Sequence, residues 1–287
     1  MTSALEVVDP GLLTLVEDLG RPGWAHIGVG RSGAADAGAL RLANRLVAND
    51  EGAAGLEVLL GGLRVRARGA VTVALTGGHG PAWVDGRPVG HEAVLELRDG
   101  SELRLGTVEL GLRTYVAVRG GIDAPPVLGS RSTDQLAGLG PAPLAAGDVL
   151  PVGPAPADWP VVDVAPVRPD QGGALPIVRG PHADWFDDAL ERLCGPHEYR
   201  VTPATNRVAV RLDGPTLGRT AQHEGRELPS EGLVVGAVQV PPDGRPVVFG
   251  VDHPVTGGYP VVAVVRRHAL GRLGQLRPGD PVRFAPG

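Results

Sequence analysis

Along most of this chain apolar and polar positions alternate with a period near two, and only in two places does the period lengthen toward 3.6. Short strands are predicted over 56–60, 63–67, 71–76, 94–97, 102–105 and 114–118, and another over 175–178 opens the second half. In the first helical stretch Leu40, Ala43, Leu46 and Val47 share one face, Asp36 stands where an N-cap or first-turn acid belongs, and Asn49 is placed to end the helix. The second runs around Asp184 to Leu193, with Trp185, Phe186, Ala189, Leu190 and Leu193 on its apolar face and Gly195-Pro196 as its stop. Asp-Gly pairs at 85–86, 99–100, 213–214 and 243–244 punctuate the strands, and the pair at 99–100 predicts a hairpin between its neighbours. The reading is a mainly β, mainly antiparallel protein with a few short helices.

The stretch Leu228 to Pro260 organises the rest. Valine-rich runs at 233–240 and 246–251 flank Pro241-Pro242-Asp243-Gly244, a fixed φ followed by a residue free to take positive φ. Ser230-Glu231-Gly232 and Thr256-Gly257-Gly258-Tyr259-Pro260 bracket them. This is either a hairpin carrying a site or a core hairpin with polar ends. A second polar stretch, Gly129-Ser130-Arg131-Ser132-Thr133-Asp134, has no apolar member. It either bonds its own backbone or binds an anion through the planar fork of Arg131. Arg64, Arg66 and Arg68 alternate with apolar residues and read as a solvated sheet face, with an anion-facing row as the alternative. The glycine-rich 76–80 follows a strand without opening a helix, weak grounds for a phosphate cradle.

Residues 151–173 are dense in proline and read as a linker, dividing the chain into 1–155 and 156–287. The halves echo one another: each has a valine-rich strand, then a variable turn, then Leu-x-x-Gly-Asp-x-(Leu or Val) at Leu144–Leu150 and Leu276–Val282. Duplication of one β-barrel unit is the inference.

Composition narrows the chemistry. All 27 basic residues are arginine, so this chain carries no Schiff-base lysine, no Walker lysine and no biotinyl-lysine. A formal charge of -5 without a basic stripe, and 3% aromatics, argue against nucleic acid as a partner. The one cysteine, Cys194, fits a reducing cytoplasm, and the absence of a leader-like start or a long apolar run predicts a cytoplasmic protein with no membrane partner. Eight scattered histidines in no His-Glu-x-x-His spacing predict no dedicated metal site. No Gly-x-Ser-x-Gly elbow is present, and Ser32 follows no strand-to-helix elbow pattern, so nucleophilic hydrolysis by this chain alone is poorly supported.

SEGLVVGAVQVPPDGRPVV followed by TGGYP, with RGGI and GSRSTD upstream, resembles the family of KipA and the C-type subunit of 5-oxoprolinase, also described as allophanate hydrolase subunit 2 and as a biotin-dependent carboxyltransferase subunit. The resemblance covers nearly the whole chain. It implies two tandem cyclophilin-like β-barrel subdomains, two partner subunits, one KipI-like (B-type) and one larger (A-type), and a small amide substrate. The motif positions it marks are Ser32, Gly33 and Asp36; Arg131, Ser132, Thr133 and Asp134; Asn206 and Arg207; Ser230, Glu231 and Gly232; Gln239, Pro241, Asp243 and Gly244; and Thr256 to Pro260. Arg31 stands where proline is usual, Ala35 where methionine is, and Pro254 and Val255 where polar residues are expected.

The implied activity is ATP-dependent opening of 5-oxoproline to glutamate, with ATP bound at the level of the complex. Such chemistry needs oxyanion donors, anion-binding arginines and a base for water. Glu231, Asp243 and Arg131 are the catalytic candidates. Ser132, Thr133, Asp134, Asn206, Arg207, Ser230, Gln239, Thr256, Gly257, Gly258 and Tyr259 are the substrate-binding ones. Asp243 is equally explained by turn geometry. The alternatives are a carboxyltransferase subunit of a urea or amide carboxylase, with biotin on another chain, and a non-enzymatic KipI-binding regulator.

Overall fold

The structure, a computed structural model, describes residues 3–159, 161–166 and 173–287. Residues 160 and 167–172 of the expected linker lie outside the described residues. The chain divides into two compact units, Met1–Arg21 with Ser32–Pro169, and Pro22–Arg31 with Asp170–Gly287.

In the first unit the elements are β1 (Ala4–Pro10), β2 (Leu13–Glu17), α1 (Ala37–Leu46), β3 (Gly55–Leu59), β4 (Leu63–Arg68), β5 (Val71–His79), β6 (Ala82–Val84), β7 (Arg87–Val89), β8 (Val94–Leu97), β9 (Glu102–Leu105), β10 (Leu110–Val118) and β11 (Val149–Pro151). They form two sheets, β11-β1-β4-β9-β6-β7 and β2-β3-β10-β5-β8. The period-two alternation turns Leu5, Val65 and Leu103 of the first sheet and Val58, Leu75 and Val116 of the second into one core, each with no exposed surface. Burial of each such side chain contributes about 1.5–3 kcal/mol. On its other face the second sheet carries α1, whose Ala43 and Leu46 pack on Ala74 and Ala117. Asp36 caps this helix by accepting from Ala39 N at 3.0 Å. The helix stops at Leu46, short of Asn49, and the Asn49 amide instead donates to Asn44 Oδ1 at 3.0 Å and the Val118 carbonyl at 2.7 Å.

The hairpin expected at Asp99-Gly100 does not form. β8 pairs with β5 and β9 with β4, so this turn carries the chain from one sheet to the other. Its polar groups are claimed by the β4–β5 turn: Gly69 N donates to Asp99 Oδ1 at 2.7 Å and Gly100 N to the Ala67 carbonyl at 2.9 Å. By contrast Asp85-Gly86, with φ of 50° and 76°, closes a true two-residue hairpin between β6 and β7. The arginine row is a solvated face interleaved with acids: Arg64 lies 2.9 Å from Glu102, and Arg68 3.3 Å from Glu6.

In the second unit the elements are β12 (Leu175–Arg179), α2 (Ala189–Leu193), β13 (Tyr199–Val201), β14 (Ala209–Asp213), β15 (Glu231–Gly232), β16 (Ala237–Gln239), β17 (Val247–Phe249), β18 (Thr256–Gly257), β19 (Val261–Val265), α3 (Leu270–Gln275), β20 (Pro281–Val282) and β21 (Phe284–Pro286). Eight of them follow the order β20-β13-β14-β17-β16-β19-β12-β21. Only Arg283 separates β20 from β21, so the two ends of that order are joined through one short segment and the sheet is nearly closed. Val238, Val240, Val248, Val262, Ala263 and Leu193 are among its core. The helix expected over 184–193 is shorter than predicted: a 3-10 turn at Ala183–Trp185 precedes α2, and Asp188 between them takes a left-handed φ of 52°. Pro22–Arg31 counts with this unit; a methyl added at Gly30 would sit 3.3 Å from the His253 carbonyl.

The echoed Gly-Asp segments are built alike. Asp148 Oδ2 accepts from Ala145 N at 2.8 Å, Asp280 Oδ2 accepts from Arg277 N at 2.8 Å, and Gly147 and Gly279 both have φ of 91°. Among the described residues no helix is long and apolar enough to cross a membrane.

Candidate functional site

The hairpin of β16 and β17 forms as the valine runs predict, with Val238 opposite Val248 and Gln239 opposite Val247. Its turn closes through Gly244 N donating to the Pro241 carbonyl at 2.9 Å. Gly244 is required there: φ is 76°, and a methyl would meet the Leu217 carbonyl at 2.9 Å. Asp243 Oδ1 accepts from Arg245 N at 3.1 Å, the bond a turn aspartate makes for its own backbone. Gln239, buried at the end of β16, donates through Nε2 to the Tyr259 carbonyl at 2.8 Å and so fixes the loop after β18.

Between this turn, the 258–259 loop and the polar segments 216–219 and 224–228 lies an open groove of about 830 Å³. Its charged lining is mixed: Arg219 and Arg226 against Glu224, Glu227 and Asp243. Trp185 builds the groove's arginine side from beneath. Its ring stacks on His223 with centroids 4.6 Å apart, and the guanidinium carbons of Arg219 and Arg226 each lie 5.5 Å from its centroid. Arg219 Nη1 donates to the Arg226 carbonyl, and Thr220 Oγ1 lies 2.8 Å from His223 Nδ1. Both arginines keep guanidinium donors for an anion.

At the groove's edge β15 pairs with β18, setting Glu231 opposite Gly257. Glu231 Oε2 lies 3.4 Å from His182 Nε2, and Val261 N donates to His182 Nδ1 at 3.2 Å. An Nδ1 that accepts leaves the proton on Nε2, so the imidazole points a donor at the half-exposed carboxylate. Gly257 is held small by packing: a methyl would meet Leu233 Cδ1 at 2.7 Å and Gln239 Nε2 at 2.9 Å. Gly258 has room, its nearest atoms being the Leu228 carbonyl at 3.5 Å and Ser230 Oγ at 3.9 Å.

In the first unit the 129–134 loop is folded around Asp18. Asp18 Oδ1 accepts from Ser130 Oγ and Ser132 Oγ, each at 2.6 Å, and Oδ2 accepts from Arg131 N at 2.6 Å. Asp134 lies beside the buried Arg21 guanidinium at 3.5 Å and accepts from Ala137 N at 2.9 Å. Ser132, Thr133 and Asp134 are buried, whereas the Arg131 side chain is partly exposed and lies 3.3 Å from Asp123.

Of the residues marked in the sequence, Asp243, Gly258 and Tyr259 line one groove, with Ser230, Glu231, Thr256, Gly257 and Gln239 around its edge. Asn206 and Arg207 have other partners: Asn206 Oδ1 accepts from Val208 N at 2.9 Å, and Arg207 makes a buried bidentate pair with Asp252 at 2.7 and 3.0 Å. Arg219, Arg226, His182 and Trp185 were not marked. The dense polar run GRTAQHEGRE beside the hairpin is the signal for Arg219 and Arg226, whereas His182 and Trp185 stand in PHADW, where nothing local points to a site. The glycine-rich 76–79 is strand within β5 rather than a phosphate cradle at a helix start, and α1 opens on an acid, Asp36. Biotin has no lysine to be carried on.

A family model described as carboxyltransferase domain, subdomain A and B, matches residues 27–286. The chain belongs to that carboxyltransferase-domain family. Over 284 residues it is 37% identical to the C-type subunit of 5-oxoprolinase from Escherichia coli strain K12, covering 98% of this chain and 90% of that protein. It is similar to the crystal structure of TTHA0988, with a TM-score of 0.89 and 38% identity over 99% of this chain and 55% of that one. The crystal structure of Kluyveromyces lactis urea carboxylase matches with a TM-score of 0.91 and 32% identity, over 99% of this chain and 27% of that one. The chain thus spans about half, or about a quarter, of these solved chains.

Proposed function

We propose that this chain is one subunit of a heteromeric, ATP-dependent 5-oxoprolinase-like amide hydrolase, active only with its KipI-like and larger A-like partners. The near full-length similarity to the C-type subunit of 5-oxoprolinase supports the substrate class. The observation that carries the reading is the second unit's groove, where Arg219 and Arg226 face the Asp243 turn and the Gly258–Tyr259 loop. A substrate with one carboxylate and one lactam matches that lining. Arg226, the more exposed arginine, takes the carboxylate, and Gly258 lets the lactam approach the backbone. Glu231, oriented by the His182 Nε2–H, accepts the proton of the attacking water. Asp243 and Gln239 shape the groove. On the first unit Arg131 is a further anion ligand, and Ser132, Thr133 and Asp134 hold its loop. ATP binding falls to one of the partner subunits.

The test is glutamate release from 5-oxoproline and ATP by this chain alone and mixed with both candidate partners. Release is expected only from the full mixture. In that mixture Arg226→Ala is expected to raise KM about tenfold with kcat little changed, and Glu231→Gln to lower kcat about a hundredfold. No release from any mixture in which the partners are bound overturns the reading.

The second reading, carboxyl transfer to urea or a related amide from biotin on another chain, is supported by the likeness to urea carboxylase. Bicarbonate-dependent carboxylation of urea with a biotin carrier and carboxylase, absent with 5-oxoproline, would favour it. A purely KipI-binding role predicts that alanine at Arg131, Glu231 and Thr256 leaves turnover of the complex unchanged.

A further inference from the structure

Far along the sequence from the groove's residues, in the first unit, two histidines and a glutamate converge where β5 ends. His79 is the last residue of β5, and the chain returns after β7 to set His91 and Glu92 beside it. His79 Nε2 lies 2.9 Å from Glu92 Oε1, and the two imidazole rings stack with centroids 4.7 Å apart. One ligating atom from each of the three lies within 4.8 Å of the others.

The environment of each residue is specific. His91 Nε2 lies 2.9 Å from the Gly80 carbonyl, which can only accept, so that nitrogen carries the proton and Nδ1 keeps its lone pair. That Nδ1 is buried and has no hydrogen-bond partner among the described residues. An acceptor left so costs about 1–3 kcal/mol. An imidazole that gives one N–H to a backbone carbonyl and keeps a bare, buried lone pair on its other nitrogen has the hydrogen bonding of metal-ligating histidines. Glu92 is pinned from both sides. Its N–H donates to the Leu75 carbonyl at 2.7 Å, its own carbonyl accepts from Ala165 N at 2.8 Å, and its φ of 52° is left-handed, a conformation that costs a non-glycine residue about 1–2 kcal/mol. Its side chain is 8% exposed. A cation would offset the burial of this carboxylate and give the bare Nδ1 of His91 a partner.

We propose that His79, His91 and Glu92 form a binding site for one divalent transition-metal ion of the zinc class, with a coordination position left open. Two imidazoles and a carboxylate suit zinc, whereas magnesium and calcium take oxygen ligands. Bonds of ~2.1 Å set tetrahedral ligand atoms ~3.4 Å apart, so on binding the widest-set atoms, now within 4.8 Å, draw together while the His79–Glu92 pair at 2.9 Å opens slightly. Nearly parallel rings, 18° apart, do not aim two lone pairs at one ion, so one ring turns. His79 is that ring: its side chain is 42% exposed, whereas His91 is held by Gly80. The His79–Glu92 contact is then exchanged for two metal bonds.

The test uses the full chain stripped with a chelator and titrated calorimetrically with Zn²⁺ alone, and in parallel with Co²⁺ for its visible spectrum. One ion per chain is expected. Affinity should fall about tenfold or more in His79→Ala, in His91→Ala and in the isosteric Glu92→Gln, and the Co²⁺ band should disappear in His91→Ala. His79→Ala, at the exposed ring, keeps the test separate from misfolding. Absence of stoichiometric binding, or affinity unchanged in His79→Ala, overturns the proposal. It stands or falls apart from the groove, whose residues it does not use.

Discussion

Replacing Asp18 by alanine tests whether the hydroxyl-rich 129–134 loop is held from within. The carboxylate, 8% exposed, collects Ser130 Oγ and Ser132 Oγ at 2.6 Å each, Gly20 N at 2.7 Å and Arg131 N at 2.6 Å. The hydroxyls can turn to other acceptors, but the two backbone N–H groups cannot. Each buried N–H without an acceptor costs about 1–3 kcal/mol, or about 2–6 for both. Both amides are only partly buried, so water recovers part of this and a loss of about 3 kcal/mol is expected. Such a loss raises the opening of the loop on the order of a hundredfold. Native-state hydrogen exchange at the Thr133 amide reads that opening, because Thr133 N donates to the Val16 carbonyl at 2.9 Å and is not itself freed by the substitution. Asp18→Asn, which keeps one acceptor oxygen, should give a smaller effect. A change at Thr133 of less than about threefold in Asp18→Ala would refute the reasoning and return the loop's hydroxyls to the pool of ligand groups.

Arg207→Ala strands the buried Asp252 carboxylate and should cost the second unit about 3–5 kcal/mol, measured as a lower urea midpoint; an unchanged midpoint would leave Arg207 available to a ligand. Gly257→Ala should cost roughly 1–3 kcal/mol through its clash with Leu233 and Gln239, while Gly258→Ala should stay within about 0.5 kcal/mol; thermal unfolding of both variants separates packing from ligand access. Tyr199 is fully buried with a hydroxyl that has no hydrogen-bond partner among the described residues, so Tyr199→Phe should be neutral or gain up to about 1 kcal/mol. Burial pushes the Tyr199 phenol up to about 12. A raised folded pKa gives stability that is complete below the unfolded value, near 10, and lost as pH climbs toward about 12. The Phe variant should lack that alkaline loss in unfolding measured from pH 9 to 12.

Local chemistry was readable in the sequence wherever one segment decides the outcome. The helical spacing of Leu40, Ala43 and Leu46 after Asp36 gave α1 and its cap, and the valine runs gave the pairing of β16 with β17. What Asp99-Gly100 does was not readable, because a turn's residues set its backbone but not which strand claims the partners on either side. The same limit hid the organiser of 129–134: the loop is visible as a polar stretch, but Asp18 lies more than a hundred residues earlier. His79 and His91 are twelve residues apart, a spacing that matches no local metal motif, and only the return of the chain after β7 brings them together. Trp185 and Arg226 meet for a similar reason, each from a segment with no periodicity linking it to the other.

The ten residues Pro22–Arg31 belong with strands that are made much later, from residue 170 onward. At about 5–20 residues per second, a ribosome delivers those strands on the order of ten seconds after this segment has emerged. During that interval the segment hangs as a loop from the first unit, whose own β1 must in turn await β11. Closing long loops adds little entropy beyond closing short ones, so the delay is one of timing rather than of final stability. A fragment cut to begin at residue 170 would lack part of the unit it was meant to represent, and a faithful excision of the second unit would have to supply Pro22–Arg31 as a separate or relinked strand of chain.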